Sequence, residues 1–270
     1  SGVKDHSSSG SSSSSSQSVT FAWSFREDRR FVVNAKDDAI LVYDALHAVE
    51  GGVAERAAPE GASFGDWFAE YARRVATGYY DFGLAVPDDA DTESIVLFRN
   101  EVDGVECSYE KTNGVECRAS ALYLPVHPHG FAYSIRLNLA ADAPVEHCQL
   151  KTRRWLITNV DAAGRDRQKK VIGDGVVGKF PKLKRGGGWR DDFQADDIGA
   201  LGFARAVRKG IDRQGVFIYQ SFSGLMANAD AMNTFEGEID FYPNEFLEAD
   251  APPFQVKVPP FLLKRPDFIF

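Results

Sequence analysis

In "FAYSIRLNL" the apolar residues Phe131, Tyr133, Ile135, Leu137 and Leu139 alternate with Ala132, Ser134, Arg136 and Asn138. Successive side chains of a strand point to opposite faces, so this stretch predicts a strand with one face in a core. "RWLITNV", "VFIYQSF", "EGEIDFY" and "FQVKVPPFLL" repeat the theme. Several short strands separated by Gly and Pro turns predict a mainly β chain folded as an antiparallel sandwich. Within it, Asn113-Gly114 is a hairpin signal, because both residues tolerate the positive φ that a two-residue turn requires. "GVEC" occurs at 104 and again at 114, and two copies ten residues apart are too few for a repeat architecture.

The N-terminal part has a different character. Residues 1–18 form a Ser/Gly tract with nothing to bury, the composition of a disordered linker. "RRFVVNA" and "AILVYDA" predict two strands around an Asp37-Asp38 turn. In "SFGDWFAEYARRVATG", Phe64, Trp67, Phe68, Tyr71 and Val75 recur at helical spacing, with Ser63 and Asp66 as a cap and Gly78 as a stop. The aromatic stripe predicts a helix face docked in a core. Residues 79–94, with "VPDDADTES", read as the connection between two units. A second helix is expected at "DDIGALGFARAVRKG", inserted in a loop between strands.

At 270 residues and 44% hydrophobic composition the chain is long enough for one large domain or two modest ones. A net charge of −8 argues against general attraction to nucleic acid. No apolar run approaches a membrane span, and the N-terminus lacks a signal-peptide profile, so an intracellular protein without membrane contact is expected. Cys107, Cys117 and Cys148 form no C-x-x-C pair and are expected as free thiols. His127 and His129 in "HPHG" sit on a Pro-broken turn without the further ligands of a metal site. The acidic pairs Asp88-Asp89, Asp191-Asp192 and Asp196-Asp197 lie in polar, turn-like contexts where carboxylates are usually solvated.

One motif carries possible chemistry. "VIGDGVVGKF" places Gly173, Gly175 and Gly178 as G-x-G-x-x-G and, with Lys179, as G-x-x-x-x-G-K. Dinucleotide binding needs a helix to open there, and Pro181 with "KRGGG" follows instead. A phosphate loop needs Ser or Thr after the lysine for magnesium, and residue 180 is Phe. Two readings remain: an anion-binding nest of backbone N–H groups helped by Lys179, Lys182, Lys184 and Arg185, or a turn between strands whose glycines supply positive φ. Arg153 and Arg154 are further anion candidates, although Trp155 beside them should point into the sandwich with an arginine on the outer face. No G-x-S-x-G elbow marks a nucleophile, and no cofactor motif survives.

The order of "RASALYLP", "FAYSIRLNL", "RRWLITN", "VIGDGVVGKFPKL", "EGEIDFY" and "FQVKVPPFLL" resembles the ApaG domain over residues 115–264. That resemblance implies an immunoglobulin- or fibronectin-type β-sandwich acting as a protein-interaction module. "RRFVVNAKDDAILVYDA" with "SFGDWFAEYARRVATGYY" resembles the last strands and closing helix of a SUKH (Smi-type) domain, a partial α+β segment over 19–86 followed by a connection over 87–114. SUKH followed by ApaG, with the ending "RPDFIF" in a tail at 265–270, is similar to F-box proteins of the F-box only protein 3 type and their plant Skp-interacting relatives. The resemblance implies a non-enzymatic target-recognition role in a Skp1-cullin-F-box ubiquitin ligase. Protein targets are then the expected partners, and Skp1 only where an F-box lies upstream. The alternative is a phosphate- or nucleotide-binding domain, with pyrophosphohydrolase activity, built on "GDGVVGK".

Overall fold

The computed structural model describes residues 18–23, 29–44, 54–84, 93–127, 130–176, 178–191, 216–224, 228–244 and 251–270. Residues 1–17, His129, the helix expected at 196–210 and the pairs Asp88-Asp89 and Asp196-Asp197 lie outside them. The chain divides into two units, Ser1–Phe68 and Ala69–Phe270.

In the first unit, β1 (Ser18–Trp23), β2 (Arg29–Asn34), β3 (Ile40–Asp44) and β4 (Ala54–Arg56) pair in that order as an antiparallel sheet. The turn between β2 and β3 takes φ 53° at Asp38, with the Asp37 carboxylate accepting from the Ala39 N–H at 3.2 Å. Helix α1 (Phe64–Ala76) begins in this unit with the expected cap. The Asp66 N–H donates to Ser63 Oγ at 3.2 Å and the Ser63 N–H to Asp66 Oδ2 at 2.9 Å, satisfying donors that a helix start leaves open. The aromatic stripe corrects the sequence expectation. Trp67 is buried against Phe21 and Phe31, but Phe64 is 40% and Phe68 55% exposed. Phe64 packs edge-on against Phe21 at 4.8 Å and stacks on Phe68 at 6.2 Å, so these two rings line the margin of the cluster around Trp67.

The second unit opens with a hairpin, β5 (Tyr80–Leu84) and β6 (Glu93–Arg99). This corrects the reading of 79–94 as a plain connection: its two ends pair as strands. Two larger antiparallel sheets follow. One takes β7 (Cys107–Thr112), β8 (Val115–Tyr123), β9 (Phe131–Leu139) and β14 (Phe217–Phe222), in the order β14-β9-β8-β7. The other takes β10 (His147–Val160), β11 (Asp166–Asp174), β12 (Pro181–Lys184), β13 (Trp189–Asp191), β15 (Asn233–Pro243) and β16 (Phe254–Leu263), in the order β13-β12-β10-β15-β16 with β11 also on β10. The segment 87–114 thus supplies β7, an edge strand of the sandwich, as well as a connection. β7 and β8 meet at the Asn113-Gly114 turn, with φ 50° and 83°.

The two sheets bury one core. Phe131, Ile135, Leu137 and Phe217 from the first face Leu150, Trp155, Phe235, Phe241 and Val256 from the second. Each such side chain removed from water is worth about 1.5–3 kcal/mol. Trp155 fits because its cross-strand partner is Gly237, where a Cβ would collide with the indole ring and the Arg154 carbonyl oxygen. A bulge at Lys151, between the pairs Leu150–Phe241 and Thr152–Asp240, reverses which residues of β10 point inward. Cys148 and Leu150 face the core before it, Trp155 and Ile157 after it.

The outer face of the β14-β9-β8-β7 sheet is covered by the end of β6. Arg118 and Arg136 stand directly opposite each other on β8 and β9. Both donate to Asn100 Oδ1, at 2.7 and 3.2 Å, and Arg136 also donates to the Arg99 carbonyl oxygen at 2.7 Å and to Ser120 Oγ at 2.9 Å. Ser120 Oγ in turn donates to the Arg99 carbonyl at 2.9 Å. Burial, with Arg118 alongside, pushes the Arg136 pKa down, but a guanidinium stays charged at any pH the fold survives.

Candidate functional site

The glycine motif is a turn between strands. β11 ends at Asp174, and Val176 and Lys179 close a two-residue hairpin through reciprocal backbone hydrogen bonds of 2.8 and 3.0 Å. Gly175 takes φ 61° and Gly178 φ 73°, and a Cβ at Gly175 would lie 2.6 Å from the Lys179 carbonyl oxygen. The chain then enters β12 at Pro181, so a strand stands where a dinucleotide or phosphate loop needs a helix N-terminus. The N–H of Gly175 donates to the Lys151 carbonyl at 2.5 Å, so the N–H groups of Gly175, Val176 and Lys179 all meet carbonyl oxygens of this chain.

Arg153 explains the first glycine. Its guanidinium donates to the carbonyl oxygens of Gly175 and, at 3.3 Å, Asp174, and it lies within 3.2 Å of where a Cβ of Gly173 would be. Arg154, one residue on, points to the opposite face of β10 and makes a two-pronged pair with Asp240 on β15, one prong at 2.8 Å. That hydrogen-bonded pairing raises the Arg154 pKa. The structure therefore separates these two arginines. Of the other basic residues near the turn, Lys182 is buried and Arg185 pairs with Glu146 at 2.8 Å.

A cleft elsewhere in the second unit was not legible in the sequence. Its lining includes Arg74, Tyr79, Tyr80, Arg99, Tyr123 and Phe270, and none of the glycines, Lys179, Arg153 or Arg154. The Tyr79 ring lies between two guanidinium groups, 4.8 Å from Arg74 and 4.3 Å from Arg99, and Arg74 also stacks on Phe270 at 4.9 Å. Burial and the nearby Glu106 carboxylate raise the Tyr79 pKa, which keeps its hydroxyl protonated and donating to Glu106 at 3.0 Å. The cations here have carboxylate partners: Glu70 for Arg74 at 2.7 Å, Asp103 and Glu106 for Arg99 at 2.5 and 2.6 Å. The cluster "RRVATGYY" was its only local signal, since the other walls come from distant segments.

Cys107, Cys117 and Cys148 are free and buried. Burial pushes all three thiols up, Cys117 to about 12, so each is protonated near neutral pH and a poor nucleophile or metal ligand. Among the described residues no cluster of His, Cys, Asp or Glu has the form of a metal site. No helix among them is long and apolar enough to cross a membrane.

The fold defines an antiparallel β-sandwich, and residues 126–190, from the approach to β9 through the glycine turn to β13, match the family model of the ApaG domain. The chain is 28% identical over 218 residues to the F-box protein SKIP16 of Arabidopsis thaliana, covering 76% of this chain and 41% of that protein. It is 35% identical over 133 residues to F-box only protein 3 of Homo sapiens, covering 47% of this chain and 25% of that protein. It is 37% identical over 79 residues to Protein ApaG of Anaeromyxobacter dehalogenans, covering 28% of this chain and 58% of that protein. The chain thus spans less than half the length of the two F-box relatives.

Proposed function

We propose that this chain is a non-catalytic protein-interaction module that recognises targets for an F-box type ubiquitin ligase. The observation that carries the proposal is the similarity to SKIP16, which extends over 218 residues and so beyond the 126–190 ApaG match. The glycine turn supports it: its N–H groups at Gly175, Val176 and Lys179 are turned onto carbonyl oxygens of the chain itself, where a nucleotide site would aim them at phosphate. In this reading residues 19–86 are the SUKH-type segment and the sandwich is the recognition platform. Skp1 binding belongs to an F-box, so it is expected of an F-box-bearing product and not of these 270 residues alone.

Two measurements test the proposal. The folded chain, immobilised, is expected to retain protein partners in fixed stoichiometry over an unrelated β-sandwich; retention no better than that control overturns it. Calorimetry of ATP, ADP and pyrophosphate with and without magnesium is expected to show no binding. Saturable binding abolished in Lys179→Ala would instead make the turn an anion site and reopen the enzyme question.

A further inference from the structure

The hairpin of β10 and β11 presents an open ladder edge. Among the described strands β11 pairs with β10 alone, through nine consecutive residue pairs from Thr152–Asp174 to Val160–Asp166 without a bulge. Its far edge therefore exposes alternate backbone N–H and C=O groups in regular spacing. The side chains are mostly exposed, Ile172 at 69%.

The centre of that edge is basic, between Asp166 and Asp174 at its two ends. Residues 167–172, "RQKKVI", hold three cations and no acid, within a chain of net charge −8. Asp161 engages Arg165 and Arg167, at 3.0 and 3.3 Å, whereas no carboxylate among the described residues pairs with Lys169 or Lys170. The acidic column of this sheet, Glu236, Glu238 and Asp240, stands on β15, on the far side of β10. The register places Lys170 beside Leu156 and Ile172 beside Arg154, so the cations of β11 have an acidic column two strands away on one side and open space on the other. Edge lysines discourage pairing with apolar or basic strands, and the same charges favour an acidic one; β11 is otherwise a regular nine-residue edge without a bulge. A second copy of β11 would set lysine against lysine, a destabilising cross-strand pair.

We propose that the free edge of β11 accepts an extended acidic segment of a protein partner as an added strand. Backbone hydrogen bonds supply the docking, and side chains of period two supply the selection. On one face the segment offers an acid to Lys170 and an apolar residue to Ile172; on the other it offers acids to Arg167 and Lys169. The inference rests on the protein-interaction reading and names the partner chemistry of one surface within it.

The test uses the whole chain and four labelled probes: an end-blocked octapeptide of Glu with a single Val (the Glu-Val peptide), its Lys-Val counterpart, the Glu-Val peptide with a central Pro, and an eight-residue oligothymidine. Fluorescence anisotropy gives affinity, and amide NMR locates binding. The Glu-Val peptide is expected to bind saturably, with shifts and slowed amide exchange confined to β11. Lys169→Glu/Lys170→Glu is expected to weaken it about tenfold, the scale of two lost exposed ion pairs replaced by repulsion. Because both lysines are exposed, the unfolding midpoint should not move. Equal binding of the Lys-Val or Pro peptide, equal binding by the double variant, or preference for oligothymidine overturns the proposal. Such a failure leaves the stoichiometric partner retention described above to stand or fall separately.

Discussion

The two sheets of the sandwich share one core and differ in what they do with their outer faces. On β8 and β9 the outward residues are polar yet covered: Ser120 and Ser134 are almost fully buried, and Arg118 and Arg136 end on an amide and on carbonyl and hydroxyl oxygens under the end of β6. On β15 and β11 most outward residues are charged, and those of β11 are largely open to solvent. The same alternation of apolar and polar residues thus produces a structural latch on one side and an exposed charged surface on the other. Polarity in the pattern says which face is outward from the core; it does not say whether another element lies on top.

This contrast can be broken at several levels. Phe235→Ala removes a ring that contacts Tyr133 from one sheet and Trp155 and Phe261 from the other, so about 4 kcal/mol of stability should be lost, read from the urea midpoint. Asn100→Ala attacks only the covered face. Two guanidinium groups lose their shared acceptor, and a loss of about 2 kcal/mol is expected. The same variant should speed thiol labelling of Cys107, which contacts Arg136 and the Asn100 carbonyl, and leave Cys148 in the core labelling only on global unfolding. Labelling of both thiols at one rate would show that the latch is part of the core.

A smaller effect separates this latch, whose arginines are half-buried, from the buried Arg74. Arg74 has a carboxylate partner in Glu70, whose pKa is lowered from 4.5 to about 2, first by the hydrogen bond from Arg73 and then by Arg74. Since the folded value lies below the unfolded one, Glu70 contributes fully above about pH 4.5, and the contribution is lost as pH falls toward 2. Wild type should lose stability over that range more steeply than Glu70→Gln, whereas Asn100→Ala should shift stability equally across it. Smallest of all, Asp240→Asn weakens the exposed-side pair with Arg154 and should cost about 0.5 kcal/mol by the same denaturation assay.

Much of the fold was written in period-two stretches such as Phe131–Leu139, and α1 in the Ser63–Asp66 cap, because these depend on neighbours a few residues apart. What was not legible depends on distant segments. The burial of Arg136 requires Asn100, and the cleft requires Arg74, Arg99 and Phe270 to meet. Phe64 and Phe68 have perfect helical spacing, yet they stay 40% and 55% exposed while Trp67 beside them is buried, a difference that spacing alone does not carry. For the site, the missing helix after Gly178 was readable from Pro181, and the divergence of Arg153 and Arg154 followed from strand alternation. That Gly173 makes room for Arg153 was not readable, because the two residues lie on different strands.

The bulge at Lys151 gives β10 two phases, and this limits how the chain can change in length as well as in composition. Deleting that one residue would leave Leu150 opposite Phe241 and Thr152 opposite Asp240 in a regular ladder, so Cys148, Leu150, Trp155 and Ile157 would all keep facing the core. It would withdraw the carbonyl that receives Gly175, so the cost would fall on the anchor of the glycine turn. A single-residue deletion between Leu150 and Trp155 should accordingly be easier to accommodate than one between Cys148 and Leu150 or between Trp155 and Ile157, where it would turn a core residue outward.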